Sequence, residues 1–387
     1  MRIGLFTDTY TPEVNGVVNS VLMLNEGLRA RGHDVFVFGP GNPEAEPDDH
    51  VFRVHATTLP VLQERRLALP WSADIWNTIK SLDLDIIHTH TEFGVGSFGF
   101  RARRQLGLPH VHTYHTVWEA YTHYLTRGRF LDQQARSLVR NQTRRTLRNV
   151  DHIITPSAKT LDLLTSYGVD TPISIIPTGV DLARFAPATA ADAPRLAHLR
   201  TRYGTDRFKH TLLVLGRIAP EKSVNELLEM TIPFLARHPD TCLLVVGDGP
   251  SLGELIGRAA HSDVSNQILF TGEVPWESVP DFYRISDVLI GNSTTETQGL
   301  TFIEALACGT RVVCRANASF DTILHDGENA NLFTNESEYE AALKEALNPK
   351  TLTARIGAGL SSAHRMSKES FVEKVEMVYK GLAPDIS

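Results

Sequence analysis

The chain has 387 residues, of which 42% are hydrophobic and 21% charged, with a net charge of −7. That composition belongs to a globular chain of about two domains and excludes a disordered or fibrous one. No run reaches the ~20 apolar residues of a membrane span, and the three cysteines, Cys242, Cys308 and Cys314, have no metal or disulfide spacing, which fits a reducing cytoplasm.

In chain order, RIGLFTD (2–8) reads as a first strand, without the long apolar region of an export signal. GVVNSVLMLNEGLRARGH (16–33) reads as a helix with Val17, Val21, Leu24 and Leu28 on one face. Further strands are expected at 34–40, 85–91, 110–116 and 152–157. The pattern restarts at ISIIPTGV (173–180). It passes through an Ala/Pro/Asp-rich linker and gives strands at 210–218, 241–250, 266–273, 287–293 and 310–316. Residues 368–382 read as a closing amphipathic helix. Val/Ile-rich strands separated by helices predict α/β architecture: two Rossmann-like, doubly wound domains facing across a cleft. The predicted division is 1–172, joined by the C-terminal helix 367–387, and 173–366. Open parallel sheets place ligands at the carboxyl ends of their strands.

Charge is unevenly spread. Residues 101–150 hold ten arginines against Glu119 and Asp132. Arg136, Arg140, Arg144 and Arg148 recur every four residues, a slowly drifting helical stripe. Upstream lie Trp118, Tyr121 and Tyr124. Arginines beside aromatics suit an anionic membrane surface, and a solvated helix face is the plain alternative. No nucleic-acid motif accompanies the stripe.

Arg217 and Lys222, in GRIAPEKS (216–223), follow a strand directly. A planar fork and a point charge there suit a diphosphate, and ordinary surface charges are the competing reading. In TETQGLTFIEALACG (295–309), a helix beginning near Gly299 and Leu300 presents unpaired N–H groups to an anion. Glu296 precedes that helix and could simply cap it. Glu304 lies about a turn and a half inside. It sits at the surface of a plain core helix or accepts hydrogen bonds from sugar hydroxyls. His88 and His90, in IHTHTEF, share one face of a strand end. Without third and fourth ligands, they are expected to line the acceptor side rather than hold zinc.

Arg-x4-Lys after a strand, followed by Glu-x7-Glu at a loop–helix junction, resembles the retaining glycosyltransferase family 4, of the GT-B fold. PEVNGVV (12–18), TYHT (113–116), PTGVD (177–181) and VVGDGP (245–250) agree in order. The resemblance implies that Gly16 lets the backbone approach the donor phosphates. Arg217 and Lys222 hold the diphosphate and stabilise it as a leaving group. Glu304 binds the ribose, and Glu296 with the backbone of Thr297, Gln298, Gly299 and Leu300 holds the transferred sugar and phosphate. Val274 falls on the donor side, and His115 near the reacting sugar. The two glutamates are then no acid/base pair, and the paired cations replace a divalent metal, so no cofactor is expected.

HTYHTVWEAYTHYL with TETQGLTFIEA is similar to the bacterial diacylglycerol α-glucosyltransferases. This likeness implies UDP-glucose as donor, diacylglycerol as acceptor and peripheral association with the inner face of the cell membrane. A phosphatidylinositol mannosyltransferase using GDP-mannose and a nucleotide-sugar epimerase of the same fold are the alternatives. A dinucleotide-dependent dehydrogenase is disfavoured, because TDTYTPEVNGVV lacks G-x-G-x-x-G.

Overall fold

The computed structural model describes residues 1–13, 15–59, 62–115, 129–293 and 296–383. It divides into two compact units, Met1–Gly179 with Lys368–Ser387, and Val180–Ser367.

The first unit holds a seven-stranded parallel sheet. Its strands are β1 (Arg2–Phe6), β2 (Asp34–Pro40), β3 (Val51–Val54), β6 (Ile86–Thr89), β7 (His110–Thr113), β8 (His152–Thr155) and β9 (Ile173–Ile175). A separate antiparallel hairpin, β4 (Ala56–Leu59) and β5 (Leu62–Ala68), falls between β3 and β6 in the chain. The spatial order is β3-β2-β1-β6-β7-β8-β9, so the winding reverses between β1 and β6. The inner strands are buried almost throughout because helices cover both faces of a parallel sheet. Asn15 starts the helix Gly16–Ala30 by accepting the amides of Val17 and Val18, both at 3.0 Å. The helix Lys368–Leu382 packs on that helix where Gly27 offers no side chain. A Cβ at Gly27 would stand 2.4 Å from Val372 Cγ2.

The second unit holds a six-stranded parallel sheet of β10 (His210–Leu215), β11 (Thr241–Val246), β12 (Ile268–Gly272), β13 (Val288–Gly291), β14 (Arg311–Arg315) and β15 (Asn331–Phe333). Its order is β12-β11-β10-β13-β14-β15, with the reversal between β10 and β13. Leu212, Leu213, Leu243, Leu244, Val288 and Leu289 form its floor, all 2% exposed or less.

Two differences from the sequence pattern have plain causes. Ile173–Ile175 does not open the second sheet: it pairs in parallel with β8 and closes the edge of the first, so the first unit continues to Gly179. The strands β3, β4 and β15 are short, and LQERRLA in β5 carries no continuous apolar run, so neither length nor periodicity marks them.

Candidate active site

In the second unit the loop after β10 carries Arg217 and Lys222, and the segment after β13 carries Glu296. Both leave the sheet at its switch point, where crossovers diverge and open a crevice. There Arg217, Lys222, Glu296, Asn292, Ser293 and Thr301 line a depression of about 450 Å³, counting the solvent in its mouth.

Lys222 is 34% exposed and forms an ion pair with Glu296, which is 16% exposed. The lysine loop is held from below: Ser293 Oγ donates to the Glu221 carbonyl at 3.2 Å, and Asn292 Nδ2 to that of Ser223 at 3.4 Å. Ser223 sits at φ 49°, a left-handed conformation that costs a non-glycine residue about 1 kcal/mol. Ser319 Oγ donates to the Glu296 carbonyl and fixes the other half of the pair. Glycines keep the floor thin: a Cβ at Gly247 would lie 2.0 Å from the Gly216 carbonyl oxygen.

The helix Leu300–Ala307 follows Gly299, whose φ is 71°. A side chain there would be strained and would meet Phe320 at 2.6 Å and Phe302 at 2.8 Å. Gln298 and Gly299 are buried, while Thr297 and Leu300 are half-buried. Glu304 is 7% exposed, which removes the surface reading of this residue. Tyr283 Oη donates to its Oε2 at 2.7 Å. Burial pushes the Glu304 carboxyl up to about 7, against the lowering effect of that hydrogen bond. Val274 packs half-buried beside the apolar cluster that includes Phe185 and Tyr283. Neither Val274 nor Glu304 lines the depression around Arg217.

The first unit gathers imidazoles at its own switch point. His88 is fully buried between Tyr379 Oη at 2.6 Å from Nδ1 and Thr113 Oγ1 at 2.6 Å from Nε2. Both nitrogens are engaged in the core, so His88 does not line an acceptor surface as the sequence pattern predicts. His90 shares its face, the two rings 4.2 Å apart, and its Nδ1 lies 2.9 Å from Nε2 of the half-buried His115. His110 Nε2 and His112 Nδ1 meet at Thr89 Oγ1, each at 2.8 Å. Burial holds His88, His90 and His110 below the usual imidazole range and pushes His115 down to about 3, His112 adding to the last. Among the described residues no group of three His, Cys, Asp or Glu could hold a metal. Gly16 is exposed and opens the first helix.

The arginine stripe lies on the helix Arg129–Leu147 and just beyond it. Arg136, Arg140 and Arg148 are exposed and Arg144 half-buried. Arg148 meets Asp170 at 3.3 Å, and Arg140 stands 5.6 Å over the Tyr167 ring. Leu138, between the arginines, is 71% exposed. Trp118 and Tyr121 lie outside the described residues. Tyr283, Ser319, Ser293 and Tyr379 were not visible as site residues from sequence, because no motif spacing carries them.

Two doubly wound parallel sheets, one with paired cations and a carboxylate at its switch point, define a GT-B glycosyltransferase. The family model described as Glycosyltransferase Family 4 matches residues 14–184, and that described as Glycosyl transferases group 1 matches residues 199–360. The chain is 34% identical to the alpha-monoglucosyldiacylglycerol synthase of Streptococcus pneumoniae, over 98% of this chain and 85% of that one. It is 32% identical to the enzyme of that name from Acholeplasma laidlawii, over 99% and 97%. Among solved structures, sucrose-phosphate synthase from Thermosynechococcus elongatus superposes with a TM-score of 0.75 at 21% identity, over 99% of each chain. The chain therefore belongs to glycosyltransferase family 4 and is a hexosyltransferase.

Proposed function

We propose that the chain transfers glucose from UDP-glucose to diacylglycerol at an anionic membrane surface, with retention, giving monoglucosyl-diacylglycerol. The observation that carries this reading is the near-full-length likeness to two monoglucosyldiacylglycerol synthases. It spans both units rather than the donor half alone.

In this reading Arg217 and Lys222 hold the diphosphate and stabilise the charge that develops as it leaves. Lys222 exchanges its ion pair with Glu296 for the phosphate, which frees Glu296 for the transferred sugar. The amides from Thr297 to Leu300 face the phosphate at the helix N-terminus. Glu304 takes the ribose hydroxyls on Oε1, the oxygen that Tyr283 does not use. Val274 flanks the donor, the Gly16 backbone approaches its phosphates, and His115 faces the sugar. Retaining glycosidases place two carboxyl groups about 5 Å apart across the scissile bond. In this reading Glu296, once released from Lys222, holds the transferred sugar and Glu304 stays with Tyr283 and the ribose, so neither is assigned as a base and the departing diphosphate takes the acceptor proton. The two cations replace a divalent metal, and transfer persists in excess EDTA.

Membrane attachment rests on Arg136, Arg140, Arg144, Arg148 and the exposed Leu138, each cation contributing about 1 kcal/mol near anionic headgroups. No helix among the described residues is long and apolar enough to cross a membrane. Replacing Arg136, Arg140 and Arg144 with Gln is expected to weaken sedimentation with phosphatidylglycerol vesicles by at least about tenfold. Unchanged sedimentation would leave the stripe as a solvated face.

The deciding experiment incubates the protein with diacylglycerol vesicles and a panel of nucleotide sugars, with lipid products identified by mass spectrometry. Hexosyl-diacylglycerol from UDP-glucose is expected. Mannosylated phosphatidylinositol from GDP-mannose, or turnover of UDP-glucose without lipid, would replace the reading by the corresponding alternative. Absence of product from every donor would overturn it.

A further inference from the structure

We propose that His90 is a positioning residue that fixes His115 as the Nδ1–H tautomer, so that His115 offers the substrate a hydrogen-bond donor and cannot serve as a general base. This role rests on the reading of His115 as a sugar-facing residue.

The geometry is a short contact between two neutral rings. His90 Nδ1 and His115 Nε2 are 2.9 Å apart, with the rings inclined by 21° and their centroids 5.2 Å apart. A neutral imidazole has one N–H and one lone pair, so one nitrogen of this contact carries the hydrogen and the other accepts it. The choice is set on the far side of His90. Its ring is 2% exposed, sits 4.2 Å from that of His88, and has a buried Nε2 with no hydrogen-bond partner.

If His115 donated, His90 would have to carry its own hydrogen on Nε2, and a buried N–H would stand without an acceptor. If His90 donates from Nδ1, its Nε2 is a bare lone pair, the less costly group to leave unpaired. His115 then accepts at Nε2 and holds its hydrogen on Nδ1. Burial favours the neutral form of both rings, as this requires. The backbone reinforces the placement: the His90 amide donates to the Phe6 carbonyl at 2.8 Å, anchoring His90 to the neighbouring strand end.

The consequence for the reaction is directional. With Nε2 occupied by His90, the only nitrogen of His115 left for a ligand bears a hydrogen. It can donate to a sugar oxygen and cannot remove the acceptor's proton, so that proton leaves with the diphosphate oxygen.

The test reads the tautomer directly. The full-length protein, with isotope-labelled histidines, is examined near neutral pH by two-bond proton–nitrogen correlation, and His115→Gln identifies the His115 signals. A protonated Nδ1 and an unprotonated Nε2 are expected. A protonated Nε2, or two protonated nitrogens, would overturn the proposal in the wild-type protein alone. His90→Phe removes the donor and should shift His115 toward the Nε2–H form while lowering turnover by about tenfold, the loss of one hydrogen bond. His90→Asn keeps a donor near the Nδ1 position and should restore both tautomer and turnover. A His90→Phe protein that melts lower but keeps the His115 tautomer would reduce His90 to packing. Because the spectrum needs neither donor nor acceptor, failure of the diacylglycerol reading would leave this result standing.

Discussion

Beside the β1/β6 reversal of the first unit, the strand ends carry buried histidines knitted together by Thr89, Thr113 and Tyr379. Beside the β10/β13 reversal of the second unit stand Arg217, Lys222 and Glu296, all lining an open depression. The two sheets present the same kind of crevice, yet one is filled mostly with imidazole rings and the other with an ion pair and a further cation. The contrast follows from what each can hold. Lys222 keeps its charge by staying partly solvated and paired with Glu296, and Arg217 is exposed. Imidazoles that orient one another need no charge, and burial keeps them neutral. The first cluster is thus bound into its core, and the second is nearly separable from its own.

The sharpest test of that separation is Lys222→Ala. On the proposed reading, in which Lys222 stabilises the leaving group, its removal should lower transfer by about 10²–10³-fold. The Lys222–Glu296 pair is a third exposed on the lysine side, so it contributes little to stability and the melting temperature should hold. Initial rates and calorimetry on the same preparation decide this. A large drop in melting temperature would show that the charged cluster is structural after all.

The next effect separates the units by pH. His88, His90 and His110 titrate below their ordinary value in the folded chain, and His115 at about 3. Unfolded histidines bind protons near pH 6.5. The folded state therefore holds fewer protons, and the contribution of these rings is complete above about pH 6.5 and lost as pH falls below it. Calorimetric stability should decline from that point downward, and His115→Gln should flatten the decline. An acid limb unchanged in His115→Gln would mean that His115 binds its proton as readily in the fold as in the unfolded chain.

The smallest effect has the opposite sign. Glu304 titrates at about 7 in the folded chain against 4.5 for an ordinary glutamate. Here the folded state holds the extra proton, so stability is complete below about pH 4.5 and falls as pH rises through about 7. Glu304→Gln keeps an acceptor for Tyr283 and removes the charge. It should raise stability by about 1–3 kcal/mol above pH 7 and change it little below pH 4.5. Equal stability of the two proteins across this range would mean that Glu304 ionises freely in the fold.

The fold and the placement of Arg217 and Lys222 after a strand were legible in the chain because both are local. Strands such as HTLLVL and TCLLVV are short apolar runs bounded by turns, and Arg217 and Lys222 sit within seven residues of a strand end. Two parallel sheets with cations at a carboxyl edge follow from such patterns alone. The state of each site residue depended on partners far away in the chain. Lys222 meets Glu296 across 74 positions, and His88 meets Tyr379 across 291. Tyr283 reaches Glu304 from another helix, and His90 turns toward His115 from the adjacent strand. A hydrogen bond or a burial depth depends on what the rest of the fold brings within 3 Å. Spacing could therefore nominate Glu304, and the family resemblance His115, and only packing made the one a tyrosine-bound buried acid and the other the neutral partner of His90.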